Sequence, residues 1–217
     1  MKRSILTSLL CCAALSVPAF GDGAADKTCT FTPVKSEPFA SRASAEKLTD
    51  AEIPAQTLAN LLWAANGVNR DNGKRTAPSA MNQQEVGIFV FTPQGVFSTD
   101  IGEKAVSLTK VSDKDLRADV VGGQADKFGA APVMLLLVAD SGKFAGMDDK
   151  RALVAVSIDT GAVMQNILLF CNANGLEARP RMWMDAEKLA KELSLPPEKL
   201  LLLNIVVGAK APAKSAE

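Results

Sequence analysis

Two runs leave few choices for how this chain can fold. Ala131 to Asp140 reads APVMLLLVAD, and Leu200 to Ala209 reads LLLLNIVVGA. A strand with one wet face alternates polar and apolar residues, whereas an unbroken apolar run of this length is the mark of a strand buried on both faces. Strands of that kind require helices packed against them.

The helices are legible from their own period. After Pro54, residues Leu58, Leu61, Leu62 and Ala65 repeat at helical spacing, and Gly67 supplies a stop. Trp63 falls off that stripe, so its face must meet the core, a second subunit or a ligand. A second helix is expected from near Ser157 or Thr160 to about Asn174, with Val163, Ile167, Phe170, Cys171 and Asn174 along one stripe. Met164, Leu168 and Leu169 make its other faces apolar too, which places it at the centre of the protein or between subunits. A short helix is expected from Asp185 to Leu193, before Pro196 and Pro197. Between the first two helices, EVGIFVFTPQGVFSTD places two β-rich runs around Thr92-Pro93-Gln94-Gly95, a hairpin. Ser112 and Asp115 have capping-box spacing and predict a helix through about Val121. The resulting layout is α+β, with helices on a small mixed sheet.

The first 21 residues read as an address. Lys2 and Arg3 precede an apolar run from Ile5 to Val17, and Ala19-Phe20-Gly21 offers small residues where a signal peptidase reads. The expectation is a cleaved Sec-type signal and a periplasmic protein without membrane insertion, an uncleaved anchor being the alternative. Residues 22–41 read as a tethering arm, 42–208 as one domain and 209–217 as a flexible tail.

Without Lys2 and Arg3, the 24 basic residues of the full sequence become 22 against 24 acidic ones, a formal charge of −2. That is no footprint for nucleic acid. Only Cys29 and Cys171 remain in a mature chain. They could pair in an oxidising compartment, or Cys171 could be a small core residue. The sequence holds no histidine and no tyrosine. Ser-His and Cys-His nucleophiles and imidazole metal sites are therefore excluded, no side chain stands out as catalytic, and a bound cofactor is the expected source of chemistry.

One loop stands apart: Gly73 to Gln84, GKRTAPSAMNQQ, has a basic pair, a proline, and then small and amide side chains with little to bury. Together with the surrounding LLWAANGVNRDNGKRTAPSAMNQQEVGIFVF, with DTGAVMQNILLFCNANGLEA and with LSLPPEKLLLLNIVVG, it resembles the nitroreductase-like flavoproteins, and more particularly their thiazoline and oxazoline (SagB-type) dehydrogenase-like branch. The resemblance spans about residues 42 to 208. It implies a nitroreductase-like fold, an FMN cofactor, a homodimer with flavin at the interface, and two-step transfer through flavin N5 between an unidentified donor and a small-molecule substrate. A non-catalytic flavin- or ligand-binding relative is the alternative reading.

By the same resemblance, Pro78, Ser79, Ala80 and Asn82 lie against the flavin ring, and Arg42, Ser44 and Lys210 take the phosphate. Ala43 and Glu46 depart from the family's basic signature, and a carboxylate there repels phosphate. Lys74 and Arg75 are candidates to compensate. Where the family has a glycine-bearing turn facing N5, this chain has RPRMWMD, Arg179 to Asp185, which either narrows the substrate side or packs a subunit boundary. The lack of tyrosine argues against the branch's oxidation of peptide heterocycles.

Overall fold

The computed structural model describes residues 37–46 and 48–210. The signal segment, Cys29, most of the arm and residues 211–217 lie outside the described residues. The last part of the arm is not a loose tether. A one-turn helix α1 (Glu37–Ala40) leads into Ser41, and Asn172 donates its Nδ2 to the Pro38 carbonyl at 3.1 Å and to Ser41 Oγ at 2.8 Å.

The elements follow as α2 (Ala55–Asn66), β1 (Val86–Thr92), β2 (Gly95–Ile101), β3 (Val106–Ser112), α3 (Arg117–Val121), α4 (Ala125–Phe128), β4 (Val133–Asp140), α5 (Asp149–Ala173), β5 (Leu176–Arg181), α6 (Ala186–Glu192) and β6 (Lys199–Ala209). The six strands form one sheet in the order β3-β2-β1-β4-β6-β5. The α+β class holds, but every described pairing is antiparallel, so the sheet is not mixed.

The two apolar runs become β4 and β6, adjacent strands in the interior of the sheet. Successive side chains alternate between its faces. Leu135 and Leu137 join Leu61, Leu62, Val156, Val163 and Ile167 beneath α2 and α5. Met134 and Leu136 join Val120, Phe128 and Leu189 beneath the shorter helices on the other side. Each face is covered, and that is why the strands lack polar alternation. Cys171, 1% exposed, is one of the core residues of α5. Burial pushes its thiol up to about 12, so it behaves as a small apolar filler.

Gly67 ends α2 as expected. A Cβ there would stand 2.6 Å from the Trp63 carbonyl oxygen and would also strike the indole, whose Nε1 donates to the Val68 carbonyl. Trp63 thus packs over the helix end and stays 38% exposed.

Three expectations change. Ser112 closes strand β3 instead of opening a helix; its hydroxyl accepts from Lys114 N, while Asp115 accepts from Arg117 N, and α3 starts at Arg117. α5 begins at Asp149, capped by Asp148 accepting from Arg151 N, two turns ahead of Ser157. Arg179 to Arg181 belong to strand β5, where Pro180 sits on the outermost strand and forfeits no needed ladder bond.

Candidate functional site

The Gly73 to Gln84 loop is pinned from both sides. Arg75 donates from Nη1 to the carbonyls of Asn66 (2.7 Å) and Ile101 (2.9 Å), and from Nε to Gln84 Oε1 (2.9 Å). Lys143 donates to the Gln83 and Gln84 carbonyls at 3.1 and 3.0 Å. Between these anchors the chain makes a 3-10 turn, Ala80–Asn82, in which Met81 and Asn82 have φ of 53° and 57°, and Gln84 just after it has φ of 48°. Each left-handed non-glycine residue costs roughly 1–2 kcal/mol, so the turn persists only because its surroundings hold it.

What holds it is a buried acidic pair. Ser79 Oγ accepts the Gln84 N–H at 2.6 Å and donates to Glu85 Oε2 at 3.2 Å; Asp159 Oδ2 accepts the Ala80 N–H at 2.7 Å. Glu85 and Asp159 are 4% and 5% exposed and hold neighbouring residues of the same turn, Ser79 and Ala80. Burial, with Asp159 alongside, pushes the Glu85 carboxyl up to about 7. Sequence reasoning missed both residues: they are far apart in the chain, and the only local signal was Asp159, the one carboxylate of α5 beyond its first turn.

The turn forms part of the wall of a cavity of about 530 Å³, shared with Arg70, Lys74 and Arg75. Pro78, Met81 and Asn82 are exposed, and Ser79 and Ala80 half-buried. The Ser79 hydroxyl and the Ala80 N–H are already committed inside the turn. That narrows the polar surface open to a planar ligand to remaining backbone groups and the Asn82 amide, whose Oδ1 also accepts from Gln84 Nε2 at 3.4 Å. Arg75 is likewise a structural pin, not a spare cation.

A second cavity, of about 540 Å³, lies at the other end of α5 and is lined by Ser44, Glu46, Asn172, Glu177 and Lys210. One backbone and two side-chain bonds put its wall in place: Ala45 N donates to the Ala178 carbonyl at 3.1 Å, Arg179 Nη1 donates to the Ala45 carbonyl at 2.8 Å, and Thr49 Oγ1 donates to the Ala209 carbonyl at 3.1 Å. Arg42 is exposed beside this wall but does not line it. Among the described residues, Arg42, Ser44 and Lys210 have no partner and remain open to an anion. Glu46 and Glu177 oppose them.

The two cavities share no lining residue. Asp159, under the turn, and Asn172, in the second cavity, are 13 positions apart on one helix, about 20 Å at 1.5 Å per residue. The structure therefore groups Arg42, Ser44 and Lys210 at one end of α5 and Pro78, Ser79, Ala80 and Asn82 towards the other, and does not bring the two groups together within one chain.

At the end of β5, Arg181 turns inward. It donates to the Val121 carbonyl (3.0 Å) and Gln124 Oε1 (2.9 Å) and lies over the Phe128 ring. Met182 and Trp183 turn outward, 75% and 78% exposed, while the Trp183 carbonyl is tied to Asn204 Nδ2. α5 also presents apolar side chains to solvent: Leu153, Val154 and Ile158 are 49%, 58% and 66% exposed.

Comparison with known proteins gives a consistent result. Residues 39–209 match the nitroreductase family. A crystal structure of a candidate nitroreductase from Ralstonia eutropha is similar at 30% identity, covering 86% of this chain and 88% of that one, with a TM-score of 0.73. The E. coli microcin synthetase McbBCD complex shares the fold at 16% identity, with 96% and 85% coverage and a TM-score of 0.67. So does an oxidoreductase containing FMN, at 15% identity, 87% and 83% coverage and a TM-score of 0.59. Among curated proteins no match is found.

Proposed function

Because the chain belongs to the nitroreductase family, we propose that it is an FMN-dependent oxidoreductase that passes reducing equivalents from a donor to a small-molecule substrate. The observation that carries this reading is the pair of clusters along α5, one at its C-terminal end and one against its middle, each of the chemistry one end of FMN requires. Arg42, Ser44 and Lys210 suit a phosphate monoester: a guanidinium, a hydroxyl and an ammonium, all unengaged. Pro78, Ala80 and Asn82 suit a flat ring with carbonyl and N–H groups on one edge, small residues permitting approach and an amide able to donate and accept. The residues fit the cofactor, with Glu46 and Glu177 weakening the phosphate end.

FMN, when bound, supplies the two-electron chemistry at N5. The chain's part is to bind, orient and shield. Lys210 and Arg42 neutralise the phosphate, the pinned turn offers a fixed surface to the ring, and Met182 and Trp183 restrict what approaches the N5-facing side. No side chain of this protein need act as general acid or base, in keeping with a sequence that has no histidine.

One chain keeps the two clusters about 20 Å apart along α5, so a complete site takes each cluster from a different copy. The exposed Leu153, Val154 and Ile158 supply an apolar face for that homodimer. The resemblance to the SagB-type branch belongs to the same proposal, as does export. A Sec-exported chain takes up FMN outside the cytoplasm, where nicotinamides are scarce, so the donor is proposed to be a quinol or a protein redox partner.

Glu46 and Glu177 in the second cavity favour one further reading, a relative that binds flavin or another planar ligand without turnover. Thermal denaturation of residues 22–217 tests the main proposal: a ligand of the native state raises Tm. FMN should raise it more than riboflavin does, because only FMN engages Lys210. No shift with either ligand contradicts a flavin site.

A further inference from the structure

Beneath the ring-facing turn lies a device that this function does not use. Glu85 precedes β1, and Asp159 lies on α5 among core residues. Two buried carboxyl groups that hold adjacent residues, Ser79 and Ala80, offer each other only acceptors when both are ionised, so a proton shared between them is what lets them lie together. Two of their four oxygens are engaged: Glu85 Oε2 receives the Ser79 hydroxyl and Asp159 Oδ2 receives the Ala80 N–H, while Glu85 Oε1 is buried without a partner. A proton held by the pair gives that last oxygen its partner. The same pair anchors the left-handed turn at two points, Ser79 and Ala80.

We infer that Glu85 and Asp159 form a proton-sharing latch that holds the Ser79 to Gln84 turn closed while one proton is present and releases it when both carboxyls ionise. Like charges side by side in a buried site repel strongly, and the cheapest relief is to let one swing into water. Glu85 is the member next to the loop, and its exit carries Ser79 with it. The other charged groups about the turn do not stop this. Arg75 holds the Gln84 side chain, Lys143 holds the Gln83 and Gln84 carbonyls, and Asp140 is paired with Lys199 at 2.8 Å; among these charged side chains, only Asp159 addresses the Glu85 carboxyl. The two cations leave the Gln84 end fixed while the Ser79 to Asn82 segment swings. Ionisation near neutral pH, as burial dictates for Glu85, sets the latch at a physiological value.

The inference concerns the protein without cofactor and stands whether or not FMN binds. If it does bind as proposed, its affinity falls as the latch opens.

Amide hydrogen exchange of the cofactor-free protein tests it, with Leu136 in the buried β4 as reference. Expected is a loss of protection at Ala80 and Gln84, relative to Leu136, of about tenfold between roughly pH 6 and pH 8.5. Glu85→Gln replaces the shared proton by a permanent N–H donor and should abolish that dependence, as should Asp159→Asn, which removes the repelling charge. Should neither variant fold, the carboxyl carbon of Glu85 in the wild-type protein decides by NMR. A midpoint near neutrality that coincides with the Ala80 amide shift supports the latch. An ordinary glutamate midpoint overturns it, and so does relative protection that is flat with pH in the wild type or unchanged in its slope in Glu85→Gln.

Discussion

Asp159 of α5 accepts the backbone N–H of Ala80 at 2.7 Å, across 79 residues of sequence. This one bond ties the apolar core helix to the turn that the proposed function depends on. Asp159→Ala should leave that N–H without its acceptor. A buried group left unsatisfied costs about 1–3 kcal/mol. Urea unfolding should show a lower midpoint at unchanged slope, with Asp159→Asn costing less because its amide oxygen still accepts.

The acidic pair also sets how stability responds to pH. Glu85 has its folded pKa raised from 4.5 to about 7, so between those values the native state holds a proton that the unfolded chain has released. Stability from this group is present in full below about pH 4.5 and falls as pH rises to about 7, above which it is level. The drop is on the order of a few kcal/mol. Differential scanning calorimetry of the wild type against Glu85→Gln isolates it: the variant lacks this descending component.

Arg75→Ala should destabilise by about 2 kcal/mol, since the Asn66 and Ile101 carbonyls and Gln84 Oε1 lose their donor together. Arg75→Lys should recover only part, because one ammonium cannot reproduce a planar fork. The check is chemical denaturation of both variants side by side.

Much of this architecture could be read before any coordinates. β4 and β6 announce themselves by unbroken apolar runs, the β1–β2 hairpin by its Pro-Gln-Gly turn, and α2 by its Leu58–Ala65 stripe. β3 gave no such signal because five of its seven residues are exposed, so no buried face imposed alternation. β5 was hidden by Arg179, Pro180 and Arg181, whose strand role comes from pairing with β6 and from Arg181 finding acceptors inside. The first two turns of α5 escaped because Leu153 and Val154 face solvent and blur the helical stripe. At the site, the turn could be located from its residues, but not its anchoring. Glu85 and Asp159 meet only through tertiary packing, and the commitment of Ser79 and Ala80 to internal bonds follows from that meeting.

The exposed face of α5 predicts oligomerisation. Ile158→Glu places a charge on the apolar surface formed with Leu153 and Val154, and should convert a dimer to monomer in sedimentation at micromolar concentration while leaving the fold intact by circular dichroism. Unchanged sedimentation as a dimer would assign the interface elsewhere.

Charge at the second cavity should tune cofactor affinity in both directions. Lys210→Ala removes a phosphate donor and should weaken FMN binding about tenfold, the equivalent of ~1.4 kcal/mol. Glu46→Arg replaces a repulsion by a guanidinium and should tighten it by at least about as much. Isothermal titration with FMN and with riboflavin separates phosphate from ring, because neither substitution should change riboflavin binding.

The most direct measurement is the visible spectrum of residues 22–217 after mixing with FMN and desalting. Retention of a bound-flavin spectrum, lost in Lys210→Ala, is the predicted result. A colourless protein whose Glu46→Arg variant is equally colourless would contradict the assignment of Arg42, Ser44, Lys210 and the Pro78 to Asn82 turn as the two halves of an FMN site.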